Sequence, residues 1–218
     1  MIHSIVTARG LRSSFREMSM LTRKKVGFSA AALFFSVSLS ACAGPPLQLY
    51  TLGGAATPAG QAQGLVAPGT PVLEIRRVSL PDYLDTQDIV VRNGQSLDRS
   101  PNGRWAERLS DGITDFIVAR VGSARPDIFV TGQSLTGPAT ARLAISITRL
   151  DVAASGTAIL EASWAVIPAD EHQPEGQLQR GTISVSGPSK TDANIVTLTN
   201  TLIRQLSDRI TQSLPARL

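Results

Sequence analysis

The chain holds one cysteine, Cys42, and its position limits the possible fold more than any other feature. Cys42 ends the stretch LTRKKVGFSAAALFFSVSLSAC, residues 21–42. This has three consecutive cations, an uncharged run over residues 26–39, and then the small residues Ser40 and Ala41. Basic, apolar and small segments in that order make a bacterial secretory signal, and the run is short for a bilayer span of about 20 residues. Residues 1–41 are therefore read as a signal that takes no part in the fold, and Met18 or Met20 would give it an ordinary length. A lone cysteine forms no intramolecular disulfide, so the core must hold by packing even in an oxidising compartment.

The ending Leu39-Ser40-Ala41-Cys42 resembles the lipobox of bacterial lipoproteins. That resemblance implies a diacylglycerol on the Cys42 sulfur, cleavage between Ala41 and Cys42, and acylation of the freed amine. Each buried methylene contributes about 0.8 kcal/mol, so several chains on one residue anchor it stably to the outer-membrane lipid bilayer. Ala43 stands where an aspartate retains lipoproteins in the inner membrane of enterobacteria-like cells. The implied location is the periplasmic face of the outer membrane. Apart from that covalent lipid, no cofactor and no metal are expected.

The net charge of +4 would suit a nucleic-acid partner if it were spread over the folded part. It is not. Residues 1–41 hold six basic residues against Glu17, which leaves 15 basic and 16 acidic residues for the remainder. No nucleic-acid partner is expected for a nearly neutral body.

Residues 42–70 are rich in Gly, Pro, Ala and Gln and read as a flexible tether, within which LQLYTL (residues 47–52) alternates and can dock as an edge strand. A domain is expected over residues 71–218. In PVLEIRRVSLP, Leu73 and Ile75 alternate with Glu74 and Arg76, and Asn93-Gly94 in DIVVRNGQSLD signals a hairpin. SPNGRWAERLSDGITDFIVARVG places Trp105, Leu109, Ile113, Phe116 and Ile117 at helical spacing, with Gly122 as a stop. That reading puts Arg104, Trp105 and Glu107 in the first helical turn. Strand patterns follow at DIFV, ARLAISITRLDV, TAILEASWAVI and GQLQRGTISVSG. A last helix carries Ile195, Leu198, Leu202, Leu206 and Ile210 on one stripe, capped by Thr191 or Asp192. The order β-β-β-α-β-β-β-β-α predicts an α+β fold, with two amphipathic helices on one face of a mostly antiparallel sheet.

Catalytic constellations are sparse. After the signal, His172 is the remaining histidine, in a solvated acidic loop, and no set of ligands has zinc spacing. GQSLTG lacks the G-x-S-x-G spacing of a nucleophile elbow, and GGAATPAG lies in the tether. Asp85 and Asp88 flank a turn, where carboxylates more often cap or pair than transfer protons. The chain reads as a protein without enzymatic activity.

One constellation stands apart. RRVSLPDYLDTQDIVVRNG presents Leu80, Pro81, Tyr83 and Leu84 in a short proline-broken segment, with Asp85 and Arg92 close in sequence, and RWAERL follows with Arg104 and Trp105. The bland account makes Trp105 core and pairs Arg104 or Arg108 with Asp85 or Asp88. The alternative is a surface for a partner or lipid. LPDYLDTQDIVVR and RWAERL, behind a lipobox and YTL, resemble the PqiC/YmbA-type family of auxiliary lipoproteins serving ABC-type and MCE-type transport systems. Thr86 and Gln87 depart from that resemblance, which would place a basic residue after the aspartate. The resemblance covers residues 42–214. It implies a partnership with an MCE-domain protein and inner-membrane transport components in intermembrane lipid transport, supporting membrane integrity. Beyond Cys42 it brings no functional residues. Direct binding of phospholipid and self-association into a homo-oligomeric ring are compatible with it. The competing reading is a structural or assembly lipoprotein bound to peptidoglycan or another outer-membrane protein.

Overall fold

A computed structural model describes residues 45–53, 66–134, 137–170, 172 and 176–218. The signal, Ala41, Cys42 and most of the predicted tether lie outside the described residues. The elements run in the order β1 (Gln48–Tyr50), β2 (Val72–Ile75), β3 (Asp88–Asn93), β4 (Ser96–Trp105), α1 (Leu109–Ala124), β5 (Phe129–Thr131), β6 (Ala141–Val152), β7 (Thr157–Pro168), β8 (Gln179–Ser186) and α2 (Asp192–Ser213). From β2 onward this is the predicted β-β-β-α-β-β-β-β-α order, and the fold class is α+β.

The strands form two sheets, ordered β1-β4-β3 and β5-β2-β6-β7-β8. Both are mixed. The pairs β1–β4, β2–β5 and β2–β6 are parallel, whereas β3–β4, β6–β7 and β7–β8 are antiparallel. The paired residues are mostly antiparallel, as expected, but the one expected sheet is two, each with a parallel pairing, because alternation tells which face of a strand is buried and not which strand lies beside it.

Alternation itself is obeyed. On β6, Leu143, Ile145 and Ile147 are buried, and a bulge between Ile147 and Arg149 moves the next inward residue to Leu150. On β7, Ala158, Leu160, Ala162 and Trp164 point inward. These side chains meet Ile113, Ile117 and Val121 of α1 and the whole predicted stripe of α2 in one apolar core. Thr191 caps α2 by accepting a 3.3 Å hydrogen bond from the Asn194 N–H.

Three local expectations shift. The hairpin forms, but its loop is Gly94-Gln95 between the paired Asn93 and Ser96, with Gly94 at φ +61°. Helix α1 begins at Leu109, so Arg104 and Trp105 end β4 instead of starting a helix. Their backbone is claimed from both sides, since Gly103, Arg104 and Trp105 pair with Gln48, Leu49 and Tyr50, and Arg104 also pairs with Asp88. Helix α1 also passes Gly122 and ends at Ala124, with the Arg125 N–H donating to the Val121 carbonyl.

Residues Leu47–Leu218 behave as one compact unit. β1 belongs to it: the Ala106 N–H donates to the Tyr50 carbonyl at 2.8 Å, and the Gly53 N–H donates to Asn200 Oδ1 at 2.8 Å. Among the described residues no helix is long and apolar enough to cross a membrane.

Candidate partner interface

Residues 81–86 make a tight turn in which the Leu84 and Asp85 N–H groups donate to the Pro81 carbonyl at 2.9 and 3.2 Å. The turn is tied to its neighbours. The Leu109 N–H donates to the Thr86 carbonyl at 3.2 Å, supplying the acceptor that the α1 N-terminus lacks from its own Arg108 side chain. The Trp105 N–H donates to the Gln87 carbonyl at 2.8 Å.

Asp85 is the centre of the brace beneath the turn. The Ser110 hydroxyl donates to Asp85 Oδ1 at 2.6 Å, and Arg108 and Arg77 approach Asp85 Oδ2 at 3.6 and 3.8 Å. The Ser110 hydrogen bond, with help from the Arg108 and Arg77 charges, holds the Asp85 carboxyl below its ordinary range. Arg77 also donates to Ser110 Oγ at 3.0 Å and pairs with Asp111 at 2.8 Å, so the loop after β2, the turn and α1 share one network.

A second brace holds the two sheets together. Arg92 Nε of β3 lies 2.9 Å from Asp151 Oδ1 of β6, an ion pair without hydrogen-bond geometry through those two atoms, while Arg149 donates to Asp151 Oδ2 at 2.7 Å. Asp151 pushes Arg92 above its ordinary pKa, and Tyr83 adds to the push. Arg92, Asp151 and Arg149 thus form a charged chain across the sheet joint.

The residues singled out from sequence separate into three kinds. Leu84 (2% exposed) and Trp105 (5% exposed) are core, and Leu80 and Pro81 are half-buried. Asp85 and Arg104 work in ion pairs, the latter with Asp88 at 3.1 Å. Tyr83 is the one apolar or aromatic member of this set that is exposed, at 42%. It sits on a turn that is pinned from below, so a contact made there costs little ordering. Sequence reasoning missed Arg77, Ser110 and Asp151, each joined in these braces to a partner at least 25 positions away: Arg77 to Ser110, Ser110 to Asp85, and Asp151 to Arg92. No spacing rule links residues so far apart.

His172 is exposed, with Nδ1 3.1 Å from Asp170 Oδ1. Among the described residues no three His, Cys, Asp or Glu side chains gather as a metal site. A cleft of about 290 Å³ opens between the β7 end and the C-terminal segment, lined in part by Trp164, Val166, Pro168, Pro215 and Arg217.

A family model described as "ABC-type transport auxiliary lipoprotein component" matches residues 50–211. The chain belongs to that family. The match begins inside β1 and ends within α2, so it takes in both sheets and both helices. The PqiC/YmbA resemblance and the reading as an auxiliary transport lipoprotein stand on it.

Solved structures show the same fold. One, of an uncharacterised protein, superposes with a TM-score of 0.59 at 19% identity, over 78% of this chain and 100% of the other. Another, a DUF330 family protein from Xanthomonas campestris, gives 0.54 at 16% identity, over 75% of this chain and 92% of the other. No curated protein matches the sequence.

Proposed function

We propose that this auxiliary lipoprotein is anchored by lipids on Cys42 at the periplasmic face of the outer membrane. There it serves, without catalysing a reaction, an MCE-domain protein and its inner-membrane ABC-type partners in intermembrane lipid transport, and so supports membrane integrity. The observation that carries the reading is the family match across both sheets and both helices of the folded unit. Two others support it. Cys42 is the chain's one thiol, so a lipoprotein of this sequence has no other residue for a thioether-linked lipid. The turn at residues 81–86 is braced by Asp85, Ser110 and Arg77 and shows Tyr83 to solvent, which suits capture of a protein partner more than a chemical step.

The test is to solubilise a tagged copy from its own host in mild detergent and identify what travels with it by mass spectrometry. An MCE-domain protein with its membrane and ATPase companions is the expected result. Recovery with peptidoglycan or outer-membrane proteins alone would replace this reading with that of a structural or assembly lipoprotein. Palmitate labelling that persists in Cys42→Ser would refute the anchor.

A further inference from the structure

The leash between anchor and fold is short. Because β1 pairs with β4, the folded unit begins at Leu47 and not near residue 71. Five peptide steps lead from Cys42 to Leu47 and span at most about 18 Å when fully extended; seven lead to Leu49 and span at most about 25 Å. A lipid-bearing Cys42 lies at the headgroup level, so β1 is bound to stay beside the bilayer.

What β1 shows on its outer face fits that neighbour. Along residues 47–52 the side chains alternate: Tyr50 and Leu52 pack against the core, while Leu47 and Leu49, at 61% and 63% exposure, face away from it. These are two of five large apolar side chains that stand well exposed among the described residues, and they stand two positions apart, Leu49 in β1 and Leu47 just before it. Among the described residues β1 is also an edge, hydrogen-bonded to β4 on one side and unpaired on the other. A free edge carrying leucines attracts other strands, and proteins usually blunt such an edge with charge or proline, or cover it. Here the first described element after the anchor in sequence presents leucines instead.

We propose that Leu49 of β1 and Leu47 just before it dock the domain on the lipid bilayer, as a second and non-covalent contact beside the acyl anchor. The proposal rests on the reading of Cys42 as the lipidated residue. The leucine side chains enter the acyl boundary, and the strand backbone stays at headgroup level. Its free N–H and C=O groups need water or lipid oxygens there, since a bare sheet edge is not tolerated in hydrocarbon. β3 is the opposite edge of the same sheet, and the turn that carries Tyr83 leads directly into it. Docking through β1 therefore leaves the turn that carries Tyr83 free for the transport partner.

The test uses the full lipidated chain. If lipid occupies Cys42, any added cysteine is the only free thiol, so Leu49→Cys and, as a distant control, Ser184→Cys on exposed β8 can each take one environment-sensitive fluorophore. The proteins are reconstituted in phosphatidylethanolamine–phosphatidylglycerol vesicles. The expected result is blue-shifted emission at position 49, quenched more by lipids brominated near the carbonyls than near the methyl ends, with solvent-like emission at position 184. Solvent-like emission at both positions overturns the docking while leaving the anchor in place. A blue shift at 49 without bromolipid quenching, growing with protein density, also overturns it and assigns the edge to a second copy of the chain. The unsubstituted chain is the control for the anchor: if it takes the fluorophore, Cys42 is free, and both readings fall.

Discussion

At the scale of single residues, two hydroxyls hold loops to α1. The Thr114 hydroxyl accepts from the Val78 N–H at 3.0 Å and donates to the Ser110 carbonyl at 2.7 Å, in a buried setting. Thr114→Val keeps the shape and strands the Val78 N–H. It should cost about 1–3 kcal/mol, read by urea unfolding, and Thr114→Ser should recover most of it. The Ser110 hydroxyl does its work on Asp85. That carboxyl has a lower pKa folded than unfolded, so its stabilisation is present above its ordinary 3.8 and is lost as pH falls through the lower folded value. Asp85→Asn should therefore lower the melting temperature at neutral pH and flatten the acid side of the stability profile below pH 3.8. An unchanged acid limb would mean that Asp85 is unlinked to folding.

At the scale of elements, turns and edges decide more than the strands they join. Gly94 and Gly156 both sit at positive φ, at +61° and +92°, yet their surroundings differ. A Cβ at Gly94 would meet nothing within 4 Å, whereas one at Gly156 would press on the Gly187 carbonyl. The Gly187 N–H donates back to the Gly156 carbonyl at 2.9 Å, locking the β6–β7 turn to the end of β8. Gly94→Ala should cost about 1–2 kcal/mol, the usual penalty of left-handed backbone. Gly156→Ala should cost clearly more, because the close approach adds to it. Equal losses in denaturant titrations of the two variants would refute the difference. The helices were legible from their stripes because the 3.6-residue period marks a buried face wherever it occurs. Trp105 misled for the same reason: it lies four residues before Leu109, a helical interval, although its backbone is held in β4 by β1 and the Gln87 carbonyl.

At the scale of the whole molecule, the turn at residues 81–86 separates what folds the protein from what it shows. Leu84→Asp would bury a charge in a core position that is 2% exposed, and should cost enough to unfold the domain. Tyr83→Asp changes an exposed side chain and should leave the melting temperature within about 2 °C, since surface substitutions usually stay within ±0.5 kcal/mol. Loss of the MCE-domain protein from the purified complex of Tyr83→Asp, with lipidation and folding intact, is the expected outcome. Undiminished capture would remove Tyr83 from the interface.

The sequence by itself determined the one residue able to carry a thioether lipid, the order of strands and helices from residue 71 onward, the inward face of nearly every element, and the family. All of these are written in local pattern: one cysteine, periods of 2 and 3.6, and short motifs. Tertiary structure alone decided that the strands form two mixed sheets, since burial patterns carry no information on neighbours or direction. It alone placed Arg77, Ser110 and Asp151 in the braces, because residues tens of positions apart meet only when the sheets close. It also brought β1 into the fold, cutting a predicted long tether to a leash of a few residues. The alternation of LQLYTL marked a strand able to dock at an edge, but its partner, the end of β4, lies more than fifty residues away and only the tertiary structure names it.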